Sequence, residues 1–177
     1  MRSVTLSCML AAILFSACIK EKNRPFFPAA LKGQWKRGVF NMSLFHSYAG
    51  DTLMHAYNSS DAIDIKADGT ARIYTMFFPT HSNGGCTPQK FMELAGHFSV
   101  DTLARSMSFT PLSGYYREMF QSCAGMQNVS RTMTTTELNE KKMTYYYRTG
   151  RQDGIDYLHI SYSSSQAPGI HLVRTAW

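Results

Sequence analysis

Apolar and polar residues alternate with a period of two along most of the chain after residue 32, and short turn sequences separate the alternating runs. This pattern is typical of β-strands that bury one face and expose the other. It predicts about eight to ten strands and no strong helix. The predicted strands are 33–45, 62–66, 71–78, 91–100, 105–110, 128–138, 143–148, 155–162 and 169–175.

Turn sequences lie between several of these strands. Asp68 and Gly69 are typical of a hairpin turn, because such turns need residues that adopt a positive φ. Residues 150–154 end in a second Asp-Gly pair and predict another turn. Residues 111–114 contain proline and glycine and predict a break in the chain. The segment 115–121 is compatible with either a short helix or a strand.

The length and composition fit one all-β domain. The chain has 177 residues and an aromatic fraction of 13%, which favours strands over helices. An antiparallel up-and-down barrel and a β-sandwich both fit strands at this spacing.

The first residues have the features of a secretory signal peptide. Arg2 gives a basic start, residues 4–15 are apolar or small, and Ser16 and Ala17 precede Cys18. The apolar stretch is too short for a membrane-spanning helix, which needs roughly 20 apolar residues. We expect residues 1–17 to be the signal peptide.

The end of this segment, Phe15-Ser16-Ala17-Cys18, resembles the lipobox of bacterial lipoproteins, although that pattern prefers Leu, Val or Ile where Phe15 stands. The resemblance implies cleavage before Cys18 and lipidation of its thiol; an ordinary cleavable signal is the alternative. Residues 18–30 then form a flexible tether, and their Lys-Glu sequence resembles the surface-export signals of Bacteroidota lipoproteins. The expected location is the outer membrane, lipid-anchored, on the periplasmic or cell-surface side.

The distribution of basic residues along the chain does not indicate a nucleic-acid partner. Without residues 1–17 the chain has 17 basic and 12 acidic residues, a formal net charge of +5. The basic residues are scattered in runs of at most two, whereas nucleic-acid binding needs a clustered basic surface. We therefore predict no nucleic-acid partner.

Two cysteines remain in the expected mature domain. In an exported chain Cys86 and Cys123 most simply form one disulfide. Closing a loop of this length contributes roughly 3–4 kcal/mol in the chain-entropy model. Free thiols, or a metal site with His81 or His97, are the alternatives, although zinc sites usually show paired short spacings.

Three short motifs stand at the ends and in the first hairpin of the predicted domain: Gly33-Gln34-Trp35 at the first strand, Arg174 in the last strand, and the Asp68-Gly69-Thr70 hairpin. Together they resemble the lipocalin family and its bacterial lipocalin-like lipoproteins. The resemblance covers residues 31–177 and implies an eight-stranded barrel. It also implies that Trp35 closes one end and that Arg174 packs over its ring in a cation–π contact. We therefore expect an antiparallel up-and-down barrel here.

A barrel of about eight strands either holds one small ligand or is filled by side chains. We expect a small apolar or amphipathic ligand, bound without a cofactor or metal. The alternative is a filled core and loops that engage an envelope protein or a glycan. The candidate ligand-lining residues share an apolar, inward pattern: Ile63, Phe77, Leu94, Phe98, Met107, Phe109, Leu158 and Ile160.

The sequence contains no HExxH motif and no Gly-x-Ser-x-Gly nucleophile elbow, and its six histidines are dispersed. We therefore expect a protein without enzymatic activity, with a hydrolase as the alternative. Two Asp-Thr-Leu tripeptides resemble the O-glycosylation sequon of Bacteroidota proteins, which implies modification at Thr52 and Thr102. The same sequence is also ordinary turn chemistry, because an Asp side chain can accept from the backbone two residues on.

Overall fold

A computed structural model describes residues 27–47, 59–78, 87–121 and 123–177. The predicted signal peptide, the predicted lipidation site Cys18, the predicted glycosylation site Thr52 and Cys86 lie outside these residues. The described strands are β1 Gly33–Arg37, β2 Ser59–Ile65, β3 Thr70–Phe77, β4 Thr87–Asp101, β5 Ser106–Gln121, β6 Val129–Thr132, β7 Met143–Gln152, β8 Ile155–Ser161 and β9 Ile170–Arg174. A 3-10 turn spans Ala29–Leu31, and two short helices are α1 Met42–Ser47 and α2 Thr135–Glu140.

The strands form a closed antiparallel barrel. Sheet order runs β4-β3-β2-β1-β9-β8-β7-β5, and the β4–β5 pairing closes the circle of eight strands. The remaining strand, β6, lies outside this circle. It pairs with residues 115–118 of β5, whereas β7 pairs with residues 106–109. The predicted all-β, antiparallel barrel is confirmed. Within the described residues, no helix is both long and apolar enough to cross a membrane.

The predicted first strand, 33–45, is wrong in its second half. β1 ends at Arg37, and Gly38 has a φ of 72°, which turns the chain. The side chain of Asn41 then accepts a 2.8 Å hydrogen bond from the Ser43 N–H. This satisfies a backbone donor that has no partner inside a helix, so α1 begins where the apolar pattern alone predicts more strand.

The predicted break at 111–114 is also wrong. β5 is one strand of 16 residues, which includes the ambiguous segment 115–121. Ser113 lies opposite Ala95 and Pro111 opposite Gly96, so Leu112 is an extra residue between two ladder pairs. A β-bulge of this kind accommodates the irregular sequence without ending the strand.

Two further boundaries differ from the prediction. Of the predicted strand 128–138, only Val129–Thr132 is extended, because Thr134 and Glu137 form a capping box that starts α2. The turn predicted at 150–154 contains only the last two residues, since β7 continues to Gln152. Gly150 lies opposite Tyr157, and a Cβ there would lie 2.5 Å from the Tyr157 hydroxyl. Glycine at this position makes room for a ring within the strand.

The inner face of the barrel holds the larger of two apolar cores. Trp35, Leu94, Met107, Leu158 and Leu172 are at its centre and are at most 1% exposed. Phe27 and Leu31, which precede β1, pack into the same cluster. The described chain therefore enters the barrel at the end where Trp35 lies, which we name the closed end.

The second core lies on the outer face of β2, β3 and β4. Phe40 precedes α1 and Phe45 belongs to it. Both pack there against Tyr74, Met76 and other apolar side chains. Arg117 of β5 fixes the helix from the side. Its guanidinium donates to the carbonyls of Phe45 and His46 and lies 4.2 Å from the centre of the Phe91 ring. Burial lowers the pKa of Arg117.

Candidate functional site

The closed end contains the tryptophan–arginine contact that the resemblance implies. Trp35 lies opposite Arg174 across β1 and β9, and the guanidinium carbon is 4.5 Å from the centre of the indole ring. The indole N–H donates to the Leu31 carbonyl at 2.9 Å, and Arg174 donates to the Ala30 carbonyl at 3.1 Å. Gly33 has a φ of 119°, which an L side chain rarely adopts. The Gly-x-Trp motif is therefore structural: it turns the chain into the barrel and seals this end.

The predicted ligand-lining residues all face the inside of the barrel. Seven of them are at most 5% exposed: Ile63, Leu94, Phe98, Met107, Phe109, Leu158 and Ile160. A cavity beside these side chains large enough for water would expose part of their surface. These seven side chains fill the barrel interior on the side of the closed end, and we name them the apolar floor. A ligand site would therefore be lined by residues between this floor and the opposite end of the barrel. The eighth, Phe77, is 44% exposed at the other end.

At that other end the inner face is polar. Residues two apart in a strand share a face, so Arg37 shares the face of Trp35, and Asp61 shares that of Ile63. By the same rule Lys90 lies on the inner face of β4, since Leu94 does, and its ladder partner Glu118 lies on the inner face of β5. We name this region, above the apolar floor, the charged half. It is defined by Arg37, Ser59, Asp61, Thr75, Lys90, Met92, Tyr116, Glu118, Arg131 and Glu137.

The first ion pair of the charged half joins β1 to β2. Arg37 lies opposite Asp61, and its Nε donates to the carboxylate at 3.0 Å. Its Nη2 also donates to the hydroxyl of Ser59 at 2.8 Å. The Arg37 side chain keeps 40% of its surface exposed. This arginine is held on two sides by Asp61 and Ser59, and part of its side chain remains exposed.

A second group of polar residues lies on β4 and β5. The Lys90 ammonium is 3.4 Å from one oxygen of Glu118, and the Tyr116 hydroxyl donates to the other at 2.7 Å. Burial and this hydrogen bond to Glu118 raise the pKa of Tyr116 to about 12. The phenol therefore stays protonated and remains a donor at neutral pH. The Lys90 side chain, 48% exposed, is the least restrained cation of the three.

The third pair joins β6 to α2. Arg131 makes two hydrogen bonds to the Glu137 carboxylate, at 2.8 and 2.6 Å, and lies 5.5 Å over the Tyr116 ring. Glu137 also accepts from the backbone N–H of Thr134, whose hydroxyl accepts from the Glu137 N–H. The Arg131 guanidinium, followed by these Thr134 bonds, lowers the pKa of Glu137 to about 2.

The helix α2 fills the space that opens where β5 leaves β7. The Met133 N–H donates to the Gly114 carbonyl at 2.8 Å, which ties the start of this connection to β5. A Cβ on Gly114 would lie 2.6 Å from the Met133 sulfur and 3.0 Å from Leu138 and Leu94. The absence of a side chain at Gly114 therefore lets the α2 segment close the barrel wall beside the charged half.

Tyr145 lies where the charged half meets the apolar floor. Its ring packs in the inner core, and its hydroxyl donates to the Met143 sulfur at 3.6 Å. Burial raises the pKa of Tyr145, and the negative charge of Asp61 acts in the same direction. The hydroxyl is thus a neutral polar group at the junction of the two environments.

Alternation in the sequence could have revealed part of the charged half. Asp61 stands two residues from the inward-facing Ile63, as Arg37 does from Trp35, but it lies just before the predicted strand 62–66. Glu118 lies in the segment 115–121, for which the sequence left helix and strand open, so no face could be assigned to it. The Thr134-x-x-Glu137 capping box is a local signal that predicts a helix start. The partners of Arg37 and Lys90 lie on other strands, and that of Arg131 lies on α2, so the sequence does not indicate the ion pairs.

The predicted disulfide stays a prediction, because Cys86 lies outside the described residues. The neighbouring register favours it: Thr87 lies opposite Gln121 in the β4–β5 ladder. Cys86 precedes Thr87 by one residue and Cys123 follows Gln121 by two, and consecutive Cα atoms are about 3.8 Å apart. The two cysteines are thus attached to paired strand ends.

Thr102 is exposed in the turn between β4 and β5. The adjacent Asp101 carboxylate accepts hydrogen bonds from the N–H groups of Leu103 and Ala104, both at 2.9 Å. Asp101 therefore has the turn-forming role that its sequence allows. Glycosylation of Thr102 remains a prediction.

Comparisons of the chain with models of known families, with curated proteins and with solved structures found no match. The resemblance to lipocalin-like lipoproteins consequently rests on the short motifs, the closed barrel and the contact between Trp35 and Arg174.

Proposed function

We propose that the chain is a non-enzymatic envelope lipoprotein whose lipocalin-like barrel binds a small apolar or amphipathic molecule in the charged half. The proposal rests on one observation: partly exposed charged side chains face the barrel axis directly above a packed apolar floor. Arg37 and Lys90 lie on the inner face of their strands and keep 40% and 48% of their side-chain surface exposed, which supports accessible space at this end of the barrel. A ligand there would meet apolar groups at one end and paired charges at the other.

The chemistry of the charged half favours an amphipathic molecule of low net charge. Its three cations face three carboxylates, so the region presents donors and acceptors without a net charge. Met92, Met143 and the rings of Tyr116 and Tyr145 supply adaptable apolar surface next to these groups. Methionine in particular adjusts to guests of different shape, because its side chain is unbranched and polarisable.

The proposed lipid anchor joins the barrel at the opposite end. The leader and the Cys18 lipobox support the anchor, and the described chain enters the barrel at Phe27 and Leu31, within the closed end. Residues 18–26 would connect the acylated cysteine to that end. The ligand site would then lie at the far end of the barrel from its attachment point.

Two matched substitutions test the ligand site. Thr75 is half-buried on the inner face, opposite Asp61 and Met92, whereas Thr110 is exposed on the outer face opposite His97. Thr75→Trp would fill the space above the floor, and Thr110→Trp adds the same bulk outside. The probe is the apolar dye N-phenyl-1-naphthylamine, whose fluorescence rises in an apolar site, titrated into the purified chain.

We expect saturable binding to the unmodified chain, a loss of at least about tenfold in affinity for Thr75→Trp, and no change for Thr110→Trp. Far-UV circular dichroism confirms that both variants are folded. Native mass spectrometry of the same chain would show any copurified molecule as an additional mass that disappears on denaturation. Equal binding by both variants, or no saturable binding at all, would contradict the proposal.

The second candidate function is an interaction role through the loops. It is favoured by apolar side chains exposed around the charged half, namely Val39, Phe77, Met126 and Tyr162, which are 44–63% exposed. Clustered exposed apolar residues at one end of a domain are typical of interaction sites. If the dye does not bind, this role in engaging an envelope protein or glycan becomes the better interpretation.

A further inference from the structure

A groove lies on the outer surface of the barrel, on the opposite side of the sheet from the charged half. It has a volume of about 350 Å³ and is bordered by Asp64, Lys66, Arg72, His97, Leu112 and Ser113. Sites for small molecules have volumes of about 300–1,000 Å³, so this groove is at the lower end of that range. It crosses β2, β3, β4 and β5 near the closed end.

The β-bulge described above shapes the groove. Because Leu112 is the extra residue of the bulge, it leaves the ladder and stands 63% exposed at the edge of the groove. On the facing strand, a Cβ at Gly96 would lie 2.2 Å from the Thr110 carbonyl oxygen. The two backbones thus approach each other closely here, and the floor of the groove consists of small residues. β-Bulges are frequent beside functional sites, where they redirect side chains.

The charged groups of the groove are paired with each other. The Lys66 ammonium lies 2.7 Å from the Asp64 carboxylate, and Arg72 donates to Glu93 at 3.2 Å. Among the described residues that border the groove, both permanent cations therefore already face a carboxylate. A bound anion would lie beside these two carboxylates, whose negative charge opposes its binding. A ligand that both donates and accepts hydrogen bonds could instead add to the pairs.

We infer that this groove binds a neutral saccharide of one or two rings. Each sugar hydroxyl donates and accepts at once, so it can bridge a carboxylate oxygen and a guanidinium N–H without breaking the ion pair. The Ser113 hydroxyl and the His97 imidazole add donors and acceptors at the rim. Leu112 and the small floor residues contact the C–H face of a sugar ring. This inference is independent of the ligand proposed for the charged half, which is on the other face of the sheet.

The test is a titration of the ¹⁵N-labelled full chain, followed by heteronuclear NMR. The probes are glucose, galactose and N-acetylglucosamine at millimolar concentrations, with inorganic phosphate in a separate series. Two variants are compared: Leu112→Ser at the groove and Leu103→Ser as the matched control. Leu103 is 97% exposed in the turn after β4, so its replacement changes exposed apolar surface away from the groove.

We expect at least one sugar to shift the amide signals of residues 64–72, 95–97 and 112–113, with no effect of phosphate. Leu112→Ser should weaken that binding about tenfold, because the apolar contact is lost, while Leu103→Ser should not. Ser113→Ala provides a second groove variant that should also weaken binding. Shifts caused by phosphate alone, shifts confined to other residues, or no shift with any of the three sugars would overturn the inference.

Discussion

Replacing Leu158 with alanine tests whether the lower barrel is a packed floor. Leu158 is 0% exposed, lies opposite Thr149 and Leu172 in the ladders, and belongs to the inner core. Removing its outer carbons forfeits about 0.8 kcal/mol for each buried methylene-sized group, and the unfilled space adds a cavity term. Together these give an expected loss of about 3–4 kcal/mol in the free energy of unfolding, within the range seen for buried Leu→Ala changes.

The matched control is Leu103→Ala. Leu103 is 97% exposed, so this variant makes the same chemical change at the surface. Urea unfolding of both variants is followed by tryptophan fluorescence, since Trp35 is buried in the same core. We expect Leu103→Ala to lie within about 0.5 kcal/mol of the unmodified chain. A similarly small effect of Leu158→Ala would refute the packed floor. It would indicate instead that Leu158 lines a cavity.

The remaining predictions concern the Glu137 carboxylate and the two cysteines. Because the pKa of folded Glu137 lies at about 2, below its ordinary value of 4.5, its stabilising contribution is present above pH 4.5 and is lost as the pH falls towards 2. Glu137→Gln should therefore reduce the acid-dependent decrease of the urea midpoint in that window, and an unchanged pH profile would contradict this. For the cysteines, proteolysis without reductant should yield one peptide pair linking Cys86 and Cys123, whereas iodoacetamide-labelled Cys123 in the folded chain would argue against the bond.

The barrel could be predicted because its determinants are local. Alternation in β2, β3, β4 and β8 fixes which side chains face inward, and the Asp68-Gly69 turn joins two of these strands directly. The closed end was predictable for a different reason. Gly33 and Trp35 occur in one short motif, in which the first position needs a positive φ and the third supplies a ring for a cation to pack on. Arg174 is the arginine of the last strand.

The helices and the long hairpin could not be predicted from alternation alone. Apolar residues continue past Gly38, so the pattern favours more strand, but the positive φ at this glycine and the side chain of Asn41 start α1 instead. In β5 the opposite happens. Pro111 and Gly114 suggest a break, yet the ladder with β4 continues on both sides of a one-residue bulge, because pairing along 15 residues of β4 outweighs the local preference.

The charged half shows why sites of this kind are difficult to identify from sequence. An inward-facing charge in a strand is costly unless it is paired and hydrogen-bonded, so Arg37 and Asp61 are stable there only together. They are 24 residues apart in the chain and meet only because β1 and β2 pair in one register. A shift of β1 by one residue in that register would turn Arg37 and Trp35 outwards together, which would separate Arg37 from Asp61 and expose part of the apolar floor. The burial of Trp35 and Ile63 therefore fixes the position of the ion pair, and the candidate site depends on the same core that closes the barrel.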